Sequence, residues 1–432
     1  MTEQPAVLVI GGGITGIQAA LDAAELGTKV YIVERKPSIG GHMAMLDKTF
    51  PTMDCSACIL TPKMVDVTRH PDIELLTYSE VQKVKKNGRG FKVQVLRKAR
   101  KVDESKCTGC GICAIHCPVE VPNEFDQGLG IRKAIYVPFP QAAPLKYTID
   151  EEHCMECELC KRVCQSGAID LDQQPQTVDL SVGSIIVATG FQAFDARKKH
   201  EYGYGRYPNV VTSLELERLL SASGPVAGHI LRPSDGRIPR RIAVVQCVGS
   251  RDRQIGNPYC SRVCCMYAIK NVILLKEHVI NVDVSIYYMD IRAYGKGFEE
   301  FYQRAREEFG IRFVRGRVSR IMEVPETRNL IIRAEDTDTG KIFDREFDMA
   351  VLSVGLSPDE GIRALGQMLD IPLDEDGFVE EMDVKTDPVR TPVEGIFVAG
   401  VAEGPKDIPD SVADASAAAM RAVTYARAGE AR

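Results

Sequence analysis

The first strong pattern along the chain is an unbroken apolar run, Ala6-Val7-Leu8-Val9-Ile10. Such a run reads as a strand buried on both faces of a parallel sheet. Gly11-Gly12-Gly13-Ile14-Thr15-Gly16 follows, and then Ala19, Ala20, Leu21, Ala23, Ala24 and Leu26 mark a helical stretch. Lys29 to Val33 repeats the strand pattern and ends at Glu34. Further along, Ser184–Gly190, Met349–Gly355 and Gly395–Gly400 each read as an apolar strand running into a turn of small residues. The last of these precedes an Ala-rich helix from about Ser411 to Ala426. Arg241-Ile242-Ala243-Val244-Val245-Gln246 starts a second unit of the same kind. The whole pattern predicts an α/β protein with parallel sheets.

Composition narrows the class. At 432 residues, 44% hydrophobic and 26% charged, the chain is long enough for several domains and too apolar for disorder. No apolar run approaches the ~18 residues of a membrane span. Met1 to Pro5 carries no basic signal-peptide region, so a cytoplasmic setting is expected. The net charge of −6 argues against nucleic-acid binding. What stands out is 14 cysteines, which in a large cytoplasmic chain point to metal or redox chemistry rather than to disulfides.

The first strand, glycines, helix, second strand and acid form a dinucleotide-binding unit in the expected order. Gly11 allows the tight turn, Gly13 lets the backbone approach a pyrophosphate, and Gly16 lets the helix pack against the strand. The helix N-terminus supplies N–H groups to the phosphates. Glu34 is placed to bond ribose hydroxyls and disfavours a 2′-phosphate, leaving FAD or NAD. The later strands, with Ala188, Thr189, Gly190 and Gly400, tip the choice to FAD. They resemble the thioredoxin reductase-like flavoprotein fold with two dinucleotide domains, whose last helix points its N-terminus at the flavin. That fold usually has Asp after the Ala-Gly, whereas Val401 stands here, so only its backbone N–H could serve the flavin.

Cys107, Cys110, Cys113 and Cys117 have the spacing C-x2-C-x2-C-x3-C, and Cys154, Cys157, Cys160 and Cys164 repeat it. In two-cluster ferredoxins the fourth cysteine of each run crosses to the other cluster. One [4Fe–4S] set is therefore Cys107, Cys110, Cys113 and Cys164, and the other is Cys154, Cys157, Cys160 and Cys117. Zinc is the alternative, but zinc sites rarely carry a third cysteine at this spacing. In the second half the expected glycine turn is replaced by Cys247-Val248-Gly249-Ser250, which argues against NAD(P)H as the direct donor. Cys260, Cys264 and Cys265 follow. With Cys247 they could close around a third cluster or be inert buried thiols. Adjacent Cys264 and Cys265 require a helix start or an irregular turn.

Over essentially its whole length the chain resembles the HdrA family, the A-type subunits of heterodisulfide reductases. The resemblance rests on Gly40-Gly41-His42-Met43-Ala44, Leu46–Pro51, Cys55–Leu60, both ferredoxin runs, Asn123-Glu124-Phe125-Asp126 and Gly404–Pro409. It implies that Cys247, Cys260, Cys264 and Cys265 bind an unusual [4Fe–4S] cluster beside the FAD. It implies that Lys270 stands near flavin N5, where the residue alone would read as a surface lysine. Arg35, Gly41, His42, Val81 and Ile408 are carried as further cofactor contacts. The two extra domains of long family members are not expected here. The A-type component of quinone-interacting oxidoreductases is a shorter relative.

The resulting expectation is an α/β flavoprotein with an inserted two-cluster ferredoxin-like domain. Its parts are 1–98, 172–240 and 349–432 for FAD, 99–171 for the insertion, and 241–348 for a degenerate nucleotide domain with the third cluster. The implied function is that of an electron-transfer oxidoreductase subunit, bifurcating in the family. Its implied partners are B- and C-type subunits, a hydrogenase or formate dehydrogenase donor, and ferredoxin, in a homodimer of heteromers that could dock at a membrane. A quinone-linked complex is the alternative. So is an NAD(P)H-dependent disulfide reductase using Cys55 and Cys58, which otherwise read as partial cluster ligands or a structural pair. The scattered His70, His116, His153 and His278 form no hydrolase constellation with any serine or acid.

Overall fold

The computed structural model describes residues 6–428, so the outermost ends of the expected 1–98 and 349–432 segments lie outside the described residues. The chain forms two compact units. The first comprises the chain up to Ala44, Ala57–Phe191 and the part from Pro358; the second comprises Met45–Ser56 and Gln192–Ser357.

In the first unit the strand Ala6–Ile10 is buried throughout and lies between Val30–Glu34 and the C-terminal half of Gln176–Val187, all parallel. Ile73–Thr77 extends the sheet on one side and Ile396–Val398 pairs with Gln176–Val187 on the other. The N-terminal half of Gln176–Val187 turns outward and pairs antiparallel with Gly90–Arg97, which pairs with Ser79–Asn87. The helix Ile14–Glu25 buries Ala19, Ala20, Ala23 and Ala24, and the helix Ile408–Arg427 buries Ala415, Ala418, Ala419 and Ala422 in the same core. Methyl-sized side chains on both faces let the two helix backbones approach closely. Ser184 Oγ adds a bond to the Ala422 carbonyl at 3.0 Å, tying the last helix to the sheet.

The inserted segment has little regular structure. Glu120–Pro122 pairs with Ile131–Lys133, and Ile135–Tyr136 with Thr148–Ile149. Its core is Val102, Ile135, Ile149, Ala168 and Ile169 around Cys107 and Cys113.

The second unit is a seven-stranded sheet with Val210–Thr212 at one edge, then Met349–Val354, Arg241–Val248, Asp283–Tyr288 and Arg312–Glu323, all parallel. Leu330–Asp336 and Lys341–Phe347 complete it antiparallel. The boundaries expected at 240/241 and 348/349 do not coincide with the units, which divide near 191 and 357. The reason is pairing: Val210–Thr212 and Met349–Val354 hydrogen-bond beside Arg241–Val248, so both belong to the second sheet.

Candidate functional site: a dinucleotide cradle and three thiol clusters

The turn after Ala6–Ile10 is as tight as its glycines suggest. Gly11 has φ +113, and a Cβ there would stand 2.3 Å from the Ala188 carbonyl oxygen. A Cβ on Gly16 would stand 1.9 Å from the Gly11 carbonyl oxygen, so the helix can start here only without one. Gly13 caps Ile14–Glu25 with no side-chain cap, leaving the first N–H groups of the helix to a ligand. In front of Gly13 and of Gly190 the space is open to at least 4 Å.

Glu34 is buried at the end of its strand. Its Oε2 accepts from Gly12 N at 2.7 Å and its Oε1 from Lys36 N at 2.8 Å, while burial pushes its carboxyl above the usual range. It thus braces the glycine turn, and each oxygen keeps a lone pair for a hydroxyl. Thr189 Oγ1 is buried with no hydrogen-bond partner among the described residues, as a group awaiting a ligand would be. Gly41 crosses Gly13, where its Cβ would stand 2.9 Å from Gly13 Cα. Gly400, at φ +67, lies against Thr15, and Val401 beside it is buried. Ile408 opens the last helix, capped by Asp407 accepting from Asp410 N. The glycine turn, Glu34, Thr189, Gly41 and Gly400 meet in one cradle, and its open glycines, free helix N-terminus and unpartnered hydroxyl suit FAD.

The other carried positions differ. His42 stacks on Phe191 at 4.1 Å, and burial, with Lys36 and Arg35 adding to it, lowers its pKa to about 3, so it is neutral at physiological pH. Arg35 is engaged by Asp359 at 2.6 Å. Val81 packs against the sheet core from the strand Ser79–Asn87.

The two cysteine runs line two hollows. Cys107, Cys110, Cys113 and Cys164 line one, with Val102, Ile112, Tyr147 and Ile169. Cys117, Cys154, Cys157 and Cys160 line the other, with Ile135, Ile149, Leu159 and Leu171. The loops share a backbone solution. Gly109 and Gly111 have φ +74 and +83, and the equivalent Glu156 and Glu158 have φ +54 and +59. Left-handed residues at these places turn three successive thiols inward. Burial, followed by the neighbouring thiols, pushes Cys113 up to about 12. Four thiols gathered around one hollow form a donor set completed by cations, because coordinated thiols are deprotonated outright. Among the described residues no three ligating side chains converge on a single-ion position. A cubane instead asks each thiolate for a separate iron.

The second unit gathers four more. Cys247 sits at φ +60 at the end of its strand, and the helix Cys264–His278 begins at the adjacent cysteines, which resolves the steric problem they pose. Burial, then Cys265 and Cys260, push Cys247 up to about 12. Burial, then Cys247 and Cys265, push Cys264 up as well. The thiols are therefore mutual neighbours.

Lys270 is 1% exposed rather than on a helix surface. It is ion-paired with Glu217 on the helix Ser213–Leu220, and Glu217 Oε2 also accepts from Asp47 N at 3.1 Å. Sequence reasoning missed Glu217, since nothing local marks a residue 53 positions from its partner. Cys55 and Cys58 are both exposed at the start of the helix Ser56–Arg69.

Known proteins match the same segments. A profile of FAD dependent oxidoreductases matches residues 6–53, and one of 4Fe-4S binding domains matches 100–123 and 147–170. A profile of pyridine nucleotide-disulphide oxidoreductases matches 161–419. The A-type subunit of the H(2):CoB-CoM heterodisulfide,ferredoxin reductase of Methanothermobacter marburgensis is 56% identical over 423 residues, covering 98% of this chain and 64% of that protein. The A-type iron-sulfur subunit of the CoB–CoM heterodisulfide reductase of Methanocaldococcus jannaschii is 58% identical over 412 residues, covering 95% and 63%. The chain thus spans just under two thirds of the length of these relatives. Among solved structures, thioredoxin reductases of T. acidophilum and Lactococcus lactis share the fold, each with TM-score 0.55. Their identities are 14% and 18%, with 98% of this chain covered and 98% and 100% of theirs.

Proposed function

Because the chain belongs to the pyridine nucleotide-disulphide oxidoreductase family, and its relatives are A-type subunits of heterodisulfide reductases, we propose that it is the flavin and iron–sulfur subunit of such a complex. It is an oxidoreductase with FAD and [4Fe–4S] sites. In the proposed role it passes electrons between a donor subunit, ferredoxin and a disulfide-reducing partner, splitting electron pairs between them. The observation that carries this reading is the pair of four-cysteine hollows built into the same unit as the dinucleotide cradle.

Bound FAD supplies exchange between electron pairs and single electrons, and the clusters carry single electrons. The chain's own residues do the rest. The Gly11–Gly16 turn and the helix behind it bind the pyrophosphate, Glu34 stiffens that turn, and Thr189 offers a hydroxyl. The eight cysteines of the inserted segment hold two clusters, and we assign a third to Cys247, Cys260, Cys264 and Cys265. Lys270, ion-paired with Glu217, is proposed to serve flavin N5. Among the described residues no helix is long and apolar enough to cross a membrane.

The test is iron, sulfide and flavin content of anaerobically purified protein. About twelve irons and one FAD are expected for three clusters. Eight irons would remove the third cluster, four would remove more, and about sixteen would bring Cys55 and Cys58 into a fourth. A disulfide reductase reading of Cys55 and Cys58 draws on their exposure and on the family profile. It requires NAD(P)H to bleach the flavin.

A further inference from the structure

The dinucleotide cradle and the first cysteine loop are joined by a physical path that the proposed function does not use. It starts at the cradle, where Gly40 N donates to the Gly12 carbonyl at 2.7 Å. The rim of Phe139 lies 3.4 Å from where a Gly40 Cβ would stand, and Phe139 stacks on Phe125 at 4.7 Å and 20°. The Phe125 loop is itself pinned by Asn123 Nδ2 donating to Asp126 at 2.7 Å, which gives the Asn-Glu-Phe-Asp motif a task.

Four residues beyond Phe139, Ala143 is bonded twice to the same rim. Its N–H donates to Ser38 Oγ at 2.8 Å and its carbonyl accepts from Ile39 N at 3.0 Å. Lys146 Nζ then donates to the Cys107 carbonyl at 2.6 Å. The Leu145 carbonyl oxygen lies 2.9 Å from the position of a Gly109 Cβ. Arg100, 3% exposed, fixes the base of the path, bonding Thr148 Oγ1 and the Pro37 carbonyl, each at 2.8 Å, and Thr77.

The second loop has no such tether among the described residues. Among the described residues, the hydrogen bonds of 154–160 go to Asp150, Arg162 and its own sulfur, and Met155 between two of its cysteines is 63% exposed.

Resting on the FAD and cluster reading above, we propose that residues 137–147 are a strap that makes the Cys107, Cys110, Cys113 and Cys164 set the flavin-side cluster. The Cys117, Cys154, Cys157 and Cys160 set then faces outward toward an electron partner. Lys146 is the positioning residue that transmits the cradle's placement to the Cys107 loop.

The test is an EPR-monitored redox titration, with dithionite as reductant, of FAD-loaded and FAD-depleted protein. Two variants each keep one ferredoxin cluster: Cys157→Ala keeps the first set and Cys110→Ala the second. The four second-unit cysteines are unchanged in both, so any signal they give subtracts. Removing FAD is expected to shift the potential of the cluster kept in Cys157→Ala and to leave that in Cys110→Ala unmoved. The reverse pattern, or equal shifts, overturns the proposal. A protein that binds no FAD when its flavin is counted beforehand overturns the underlying reading instead. Should either cysteine variant fail to fold, Lys146→Met retains every ligand. It should shrink the FAD-dependent shift several-fold, with Lys146→Arg restoring it and Lys133→Met leaving it intact. An undiminished shift in Lys146→Met overturns the role given to Lys146.

Discussion

Two loops with one backbone path but different residues give a direct measure of local strain. Glu156 and Glu158 hold the left-handed conformation that Gly109 and Gly111 hold in the first loop. A side chain in that region costs roughly 1–2 kcal/mol per residue. Glycine gives back about 0.5–1 kcal/mol through its freer unfolded chain. Glu158→Gly should therefore stabilise the cluster-loaded protein by a few tenths to about 1 kcal/mol, read as a higher denaturant midpoint. Gly109→Ala meets both the strain and the Leu145 carbonyl 2.9 Å from its new Cβ, so a loss of about 2 kcal/mol or more is expected. A destabilised Glu158→Gly would mean that its carboxylate, not its backbone, matters there.

At the scale of elements, the two sheets treat their first turn differently. In the first unit three glycines separate Ala6–Ile10 from Ile14–Glu25. In the second, residues 249–263 intervene between the strand Arg241–Val248 and the helix Cys264–His278. The ring of Phe194 fills the place of a Gly249 Cβ, 2.0 Å away at its nearest atom. Donors that would face a phosphate are spent inside the loop: Arg251 N goes to the Tyr259 carbonyl at 2.7 Å and Asn257 Nδ2 to the Gly249 carbonyl at 2.9 Å. NADH or NADPH added anaerobically to the isolated chain should leave the flavin absorbance unchanged. Rapid bleaching would refute this and favour the disulfide reductase reading. The loss of the glycine turn is legible in the sequence because the motif is local, and so are the strand–glycine–helix–strand order and the cysteine spacings. What fills the gap is not legible. Phe194 reaches Gly249 from 55 positions away, as Ser38 reaches Ala143 across 105. The same distance hides Lys270 with Glu217 and assigns Val210–Thr212 and Met349–Val354 to the second sheet. Periodicity reports that a strand is buried, and only pairing reports in which sheet.

For the whole molecule, the question is which parts stand without metal. The main sheet of the first unit has extensive apolar cores on both faces. Around the two cysteine runs, the inserted segment's own core has five buried apolar residues besides cysteines, with Tyr147 and Leu171 partly buried beside them, while Phe139, Ala142 and Ala143 join the core of the sheet instead. Five such side chains at about 2 kcal/mol each fall well short of the entropy of tens of ordered residues at about 1 kcal/mol each. Its order must therefore come in good part from bonds to iron, as in other small metal-dependent domains. The strap and Arg100 tie it to Ser38, Pro37 and Thr77, and near its two ends Glu104 pairs with Arg97 and Lys101 N donates to Gln173. Stripping the iron with ferricyanide and EDTA should accordingly collapse amide protection across 107–117 and 154–164, measured by hydrogen exchange. Protection should persist in Ala6–Ile10 and in the residues of Gln176–Val187 that pair with it, and Ala143 should lose less than Cys154 because the cradle still holds it. Unchanged protection at both cysteine loops would show that the inserted segment folds on its apolar contacts alone, and that the clusters are guests in a finished scaffold.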